Sequence, residues 1–113
     1  MAAELSVEAL RAEIDQIDEV IVRRLDSRAR CAYAVGRVKH AEGKAVYEPA
    51  REAAVLAHVR EVNRNLGGPL DDEAIVRLFE RVIDEARRIQ RIEATRTQHS
   101  GSGDAPAATG QGE

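Results

Sequence analysis

From Leu10 to Lys39 the chain marks one helical stripe in steps of three and four: Leu10, Ile14, Ile17, Ile21, Leu25, Arg28, Ala32, Val35, Lys39. That spacing is one face of an α-helix and excludes a strand, whose faces alternate every second residue. Ser6 is an N-cap ahead of Val7, Glu8 suits the dipole of the first turn, and no proline or glycine intervenes until Gly36. With the rhythm persisting to Val38, the pattern predicts a helix of about nine turns, roughly 50 Å long. A compact domain of this size does not need so long a helix. Gly36 costs about 1 kcal/mol relative to alanine within it. It reads either as the close approach of another backbone or a ligand, or as a glycine merely tolerated. Two members of the stripe, Arg28 and Lys39, are cations in register with the aliphatics. Inward charges are rarely tolerated without a partner.

The remaining chain predicts two more helices. After a loop from His40 to Tyr47 that contains Gly43, Glu48 starts a second helix with Pro49 at its first position, where the missing N–H is harmless. Val55, Val59, Val62 and Leu66 mark its inner side, and Gly67-Gly68-Pro69 ends it. Asp71 caps the third helix, with Asp72 and Glu73 complementing the dipole. Its stripe is Ile75, Leu78, Phe79, Val82, Ile83, Ala86 and Ile89 or Gln90, and its end is expected between Arg91 and Thr97. The fold class is therefore all-α: one long, one shorter and one medium helix. Residues 5–97 form the domain, and 98–113 form a Gly/Ser/Ala/Pro-rich tail too polar to offset its ordering entropy.

Composition narrows the function. Aromatics make up 3% of the 113 residues, which disfavours a sheet. A formal net charge of -3, with no basic arm, argues against a nucleic-acid partner. The start Met1-Ala2-Ala3-Glu4 is polar and acidic, and no apolar run reaches membrane-spanning length. A cytoplasmic protein without a membrane partner is expected. Cys31 stands alone, so no internal disulfide is possible, and it reads as an apolar filler beside Ala32. His40, His58 and His99 fall on a loop, a surface and the tail, and no phosphate-cradling glycine loop or cysteine pair occurs. No metal or other cofactor is expected.

The polar residues on inward positions are Arg28, Lys39, Arg51, Glu52 and Gln90, with Arg11 flanking the first stripe beside Leu10 and Ile14. Cations outnumber carboxylates among them, and the simplest partner is a small anion, which arginine's planar fork grips bidentately. Two or more arginines with a lysine point to a ligand with more than one carboxylate. Arg11 and Arg28 are seventeen residues apart on one helix, about 25 Å at 1.5 Å per residue. If both hold one ligand, Arg11 comes from an antiparallel second subunit. The same two-fold partner would cover the apolar surface that an overhanging helix exposes. Fixed cations, an amide and one or two carboxylates orient a ligand and stabilise developing charge without covalent catalysis, which suits a unimolecular rearrangement. Arg23, Arg24, Arg30, Arg37, Arg87 and Arg88 read as surface charge.

The pattern Leu10-Arg11-x-x-Ile14-x-x-Ile17-Asp18, then Arg28, Val35-Gly36-x-x-Lys39, Arg51-Glu52 and Gln90 resembles the all-helical AroQ-type chorismate mutases over residues 5–93. The resemblance implies an intertwined three-helix homodimer that converts chorismate to prephenate by a Claisen rearrangement, on the route to phenylalanine and tyrosine. It further implies that Arg28 and Arg11 of the second subunit grip the two substrate carboxylates. Lys39 would contact a carboxylate and the ether oxygen, and Gln90 would donate to that oxygen from the other side. Glu52 would accept from the ring hydroxyl, with Arg51 supporting the charge balance. There are two departures. Glu48 stands where aspartate is frequent, and Ala86 stands where a serine often aids the ring carboxylate. An isochorismate-pyruvate lyase shares this fold, but there the place of Glu52 is typically not a carboxylate. A non-catalytic helical dimer acting as a regulatory or interaction module is the alternative outside enzymes.

Overall fold

The structure, a computed structural model, describes residues 6–102, with side chains described over 6–96. The described residues form three α-helices and no strand: α1 (Val7–Ala41), α2 (Pro49–Leu66) and α3 (Asp72–Ser102). Each boundary follows local chemistry. Ser6 Oγ accepts the Ala9 N–H at 3.0 Å and Asp71 Oδ1 the Ala74 N–H at 2.7 Å, which satisfies donors that a helix start leaves open. After α1 the chain turns at Gly43, φ +70°, where the N–H groups of Gly43 and Lys44 donate to the carbonyls of His40 and Lys39. This pair of bonds is the Schellman arrangement, and a side chain at Gly43 would strain it. α2 ends at Gly67, φ +63°, whose N–H returns to the Asn63 carbonyl.

The chain divides into two units, Met1–Cys31 and Ala32–Glu113. Over its described residues the first is helix alone. A single helix has nothing to lay its apolar stripe on, and Leu10, Ile14, Ile17, Ile21 and Leu25 are all exposed. The stripe was expected to face a core; within this chain it does not. Cys31, expected as filler, is also exposed. It lies a 100° step round the helix from Ala32, and it is Ala32 that is buried.

The second unit holds the end of α1, from Ala32, with α2 and α3. α2 and α3 pack as an antiparallel hairpin: Glu52, early in α2, meets Arg87, midway along α3, while Arg60, late in α2, pairs with Glu73, early in α3. Val76 and Ile83 are buried, flanked by half-buried Val55, Val59, Phe79 and Val82. Val62, Leu66 and Leu78, expected to face inward, are exposed because two helices can cover only one side of each other. α3 continues to Ser102, beyond the end expected between Arg91 and Thr97. No proline stands in that stretch, and the single Gly101 costs only about 1 kcal/mol. The tail residues 103–113 lie outside the described residues.

Asn63 ties the hairpin's corner. It is buried, and its amide donates to the Leu70 carbonyl at 2.9 Å and to Asp72 Oδ1 at 3.0 Å, while Arg64 Nε meets Asp72 Oδ2 at 3.2 Å. Hydrogen bonding from Asn63, with Arg64 adding to it, holds the Asp72 carboxyl below its ordinary pKa. A carboxyl depressed by folding stabilises above its unfolded value and loses that contribution as pH falls through the folded one. Asn63→Ala removes the hydrogen bonds of a buried amide and should cost about 1–3 kcal/mol in urea unfolding at neutral pH. It should also weaken the destabilisation that the parent shows below about pH 4.

Candidate active site

Within the second unit, the side chains that the sequence singled out gather where the end of α1 meets α3 and the start of α2. At Gly36 the two helices α1 and α3 approach closely. A Cβ built on it would lie 3.1 Å from Gln90 Cγ and 3.3 Å from Gln90 Cα, so the absent side chain lets α3 come against α1. Of the two readings of this glycine, close approach of another backbone is the one observed. Gln90 uses the proximity to donate from Nε2 to the Ala32 carbonyl at 3.0 Å.

One turn beyond Gly36, Lys39 is 6% exposed. Its Nζ donates to the Val46 carbonyl at 3.0 Å and pairs with Glu48 Oε1 at 3.1 Å. Glu48 occupies the N-cap of α2, yet its side chain makes no cap bond. The carboxylate turns to the lysine instead. Cations outnumber carboxylates among the inward residues of the sequence, and Glu48, noted there only as a departure from aspartate, supplies the counter-charge of Lys39. Burial of an ammonium is tolerated because both contacts are made by oxygen.

Glu52, half-buried, is engaged by Arg87 in a side-on fork: Nη2 to Oε1 at 2.7 Å and Nε to Oε2 at 3.2 Å. The Arg87 guanidinium also lies 5.4 Å from the Tyr47 ring centroid. Its pKa is raised above the usual arginine value, first by the hydrogen bond to Glu52 and then by the charges of Glu52 and Asp84 against an opposing desolvation. Arg87 was read from sequence as surface charge, and this correction is the largest at the site. A residue three before Gln90 lies on the flank of the stripe, where periodicity alone does not separate solvent from a partner.

Glu93 was also missed, although extending the stripe Phe79, Ile83, Ala86, Gln90 by three reaches it. Only 2% exposed, Glu93 meets Arg96 at 2.8 Å and Arg37 at 3.9 Å, and Arg96 also donates to the Tyr33 hydroxyl. This ionic group fastens α3 to α1 one turn past Gln90. Ala86, one turn before Gln90, is half-buried and presents only a methyl.

The remaining cations stand differently. Arg51, expected to look inward, is exposed, since it precedes Glu52 by one step round α2. Arg11 is exposed and Arg28 half-buried, both in the first unit. No ion pair engages Arg11, Arg28 or Arg51 among the described residues. Nor do three His, Cys, Asp or Glu side chains gather there as a metal site. Among the described residues no helix is long and apolar enough to cross a membrane.

Counting donors shows what the cluster retains. An ammonium has three N–H groups and Lys39 spends two; a primary amide has two and Gln90 spends one; a forked carboxylate keeps a lone pair on each oxygen. Each group is thus held in place with one function still to offer. Such an arrangement defines a class of site that acts by orientation and electrostatics. The comparisons specify it further: the family description "Chorismate mutase type II" matches residues 10–91, and the chain belongs to that family. It is 38% identical over 95 residues to the bifunctional chorismate mutase/prephenate dehydratase of Pseudomonas aeruginosa, covering 80% of this chain and 25% of that protein. The corresponding protein of Neisseria gonorrhoeae is 43% identical over 81 residues, 72% of this chain and 21% of its own length. The T-protein of Enterobacter agglomerans is 41% identical over 71 residues, 63% and 18%. The chain spans about a quarter or less of these curated relatives.

Proposed function

We propose that the chain is a chorismate mutase, an isomerase that converts chorismate to prephenate. The observation that carries this reading is the placement of Lys39 in the last turn of α1 and of Gln90 against the turns before it, each with an unspent N–H, inside the segment that matches the family. In the rearrangement the ether C–O bond breaks as a C–C bond forms, so negative charge grows on the ether oxygen. The third N–H of Lys39 and the second of Gln90 stabilise that charge without reorganising. Arg28, half-buried and without an ion pair among the described residues, takes one substrate carboxylate, with Arg51 in the first turn of α2 adding positive potential. Glu52 accepts from the ring hydroxyl, Glu48 holds Lys39, and Ala86 lines the wall where a hydroxyl would have made a further contact. Depletion of chorismate with formation of prephenate tests the activity. Release of pyruvate from isochorismate would instead favour the lyase reading, and no turnover of either would favour a non-catalytic module.

The active form in this reading is an intertwined homodimer in which Arg11 of a second copy completes each site. Support comes from the exposed stripe of Leu10, Ile14, Ile17, Ile21 and Leu25, which is an apolar surface without a cover. The length of helix between Arg11 and Arg28 supports it as well. Mixing two inactive variants, Arg11→Ala and Lys39→Ala, after unfolding and refolding together should restore about a quarter of the parent's activity. Half of the dimers are then mixed, and each has one intact site. An Arg11 that served its own chain's site would give no restoration.

A further inference from the structure

Arg87 joins three segments that the proposed site depends on. From α3 it reaches Glu52 in the first turn of α2, lies over Tyr47 of the preceding loop, and approaches Asp84 at 3.5 Å on its own helix. Joining α2 to α3 does not require it, because Asn63 with Asp72, and Arg60 with Glu73, already hold the hairpin at its other end. What Arg87 fixes is the Glu52 carboxylate. A glutamate side chain has three rotatable bonds and rarely holds one orientation unaided. The fork engages both oxygens and sets the plane in which the remaining lone pairs point. It also cancels the charge of Glu52, which would otherwise repel a ligand with two carboxylates.

We propose that Arg87 is a positioning residue: its fork presents Glu52, already aligned and charge-balanced, to the ring hydroxyl of a dianionic substrate. The inference rests on the chorismate reading and adds a residue that acts through Glu52 without touching the substrate. Because the fork leaves a lone pair on each oxygen, Glu52 accepts the hydroxyl with no exchange of partners. Without the fork, the substrate still binds through its carboxylates, but the ring is held less often in the reactive pose. The loss then falls on kcat more than on KM.

The test is steady-state kinetics of the full chain with chorismate, comparing Arg87→Met, Arg87→Lys, Glu52→Gln and the double variant Arg87→Met/Glu52→Gln, with helicity followed by circular dichroism. Arg87→Met should lower kcat about tenfold or more with a smaller change in KM, and Arg87→Lys should recover part of it. In the Glu52→Gln background the same Arg87→Met change should alter kcat less than about twofold, because its route of action is gone. Equal losses in both backgrounds, or a parent-like kcat in Arg87→Met, would overturn the proposal. If methionine lowers helicity, Arg87→Lys decides alone: it keeps the charge and loses the fork, and an unchanged kcat there rejects the inference. A parent that does not turn over chorismate rejects the underlying reading and this one with it, a result distinct from the others.

Discussion

Lys39→Ala should lower kcat/KM for chorismate by about three orders of magnitude while the helical circular dichroism signal stays close to the parent's. The size follows from what is removed. A buried ammonium is held by Val46 and Glu48, and in the proposed reading its remaining N–H meets the oxygen on which charge develops. Removing one preorganised donor from such a place costs about 10²–10³ in rate. Here the donor is also a full charge on a side chain only 6% exposed, which raises the loss toward the upper end and past it. Glu48 complicates the variant, since its carboxylate loses its counter-ion. Glu48 is more than half exposed, however, and can turn to solvent. The double variant Lys39→Ala/Glu48→Gln should therefore stay as slow as Lys39→Ala. Recovery in the double variant would mean that the orphaned carboxylate, and not the missing ammonium, caused the loss. A rate for Lys39→Ala within a few-fold of the parent's would remove Lys39 from the chemistry.

The residues that were legible in the sequence share a property. Lys39 and Gln90 each break the rule of the stripe they occupy, a cation and an amide at positions that periodicity assigns to the interior, and Gly36 breaks the rule of the helix itself, a glycine where alanine would be more stable. The helices were legible because caps and breakers mark them sharply; Ser6, Pro49, Gly67 and Asp71 each stand at a boundary. Arg87 was not legible because it breaks no rule. An arginine beside an inward stripe has the composition of a solvated face, and only the position of Glu52 on another helix gives it a role. Arg51 erred in the opposite direction, since two neighbouring charges at a helix start cannot both face inward when 100° separates them. The stripe of α1 shows a different limit. Periodicity identifies a surface to be covered and is silent on what covers it, so Ile14 and Ile17 read as core in the sequence and stand exposed in a single chain.

Gln90→Leu should cost about 10²–10³ in kcat/KM, the loss of the donor that the proposed reading assigns to the ether oxygen. The isosteric Gln90→Glu distinguishes donation from mere shape. Gln90 Nε2 gives one N–H to the Ala32 carbonyl and keeps the other. An ionised glutamate has no N–H or O–H to offer either the substrate or Ala32, and it places negative charge where more is about to form. Only the protonated acid carries an O–H. The ordinary glutamate pKa lies near 4.3, so the rate of Gln90→Glu should rise about tenfold for each unit that pH is lowered between neutrality and that value. The parent, whose amide does not titrate, should lack this slope. The packing against Gly36 predicts a second difference. Gly36→Ala puts a methyl at 3.1–3.3 Å from Gln90, which moves the amide without deleting it, and it should lower kcat without making the rate depend on pH. If Gln90→Glu is equally slow from pH 5 to pH 8, the donor is not used in the slow step, and Gln90 serves only to hold α3 against α1.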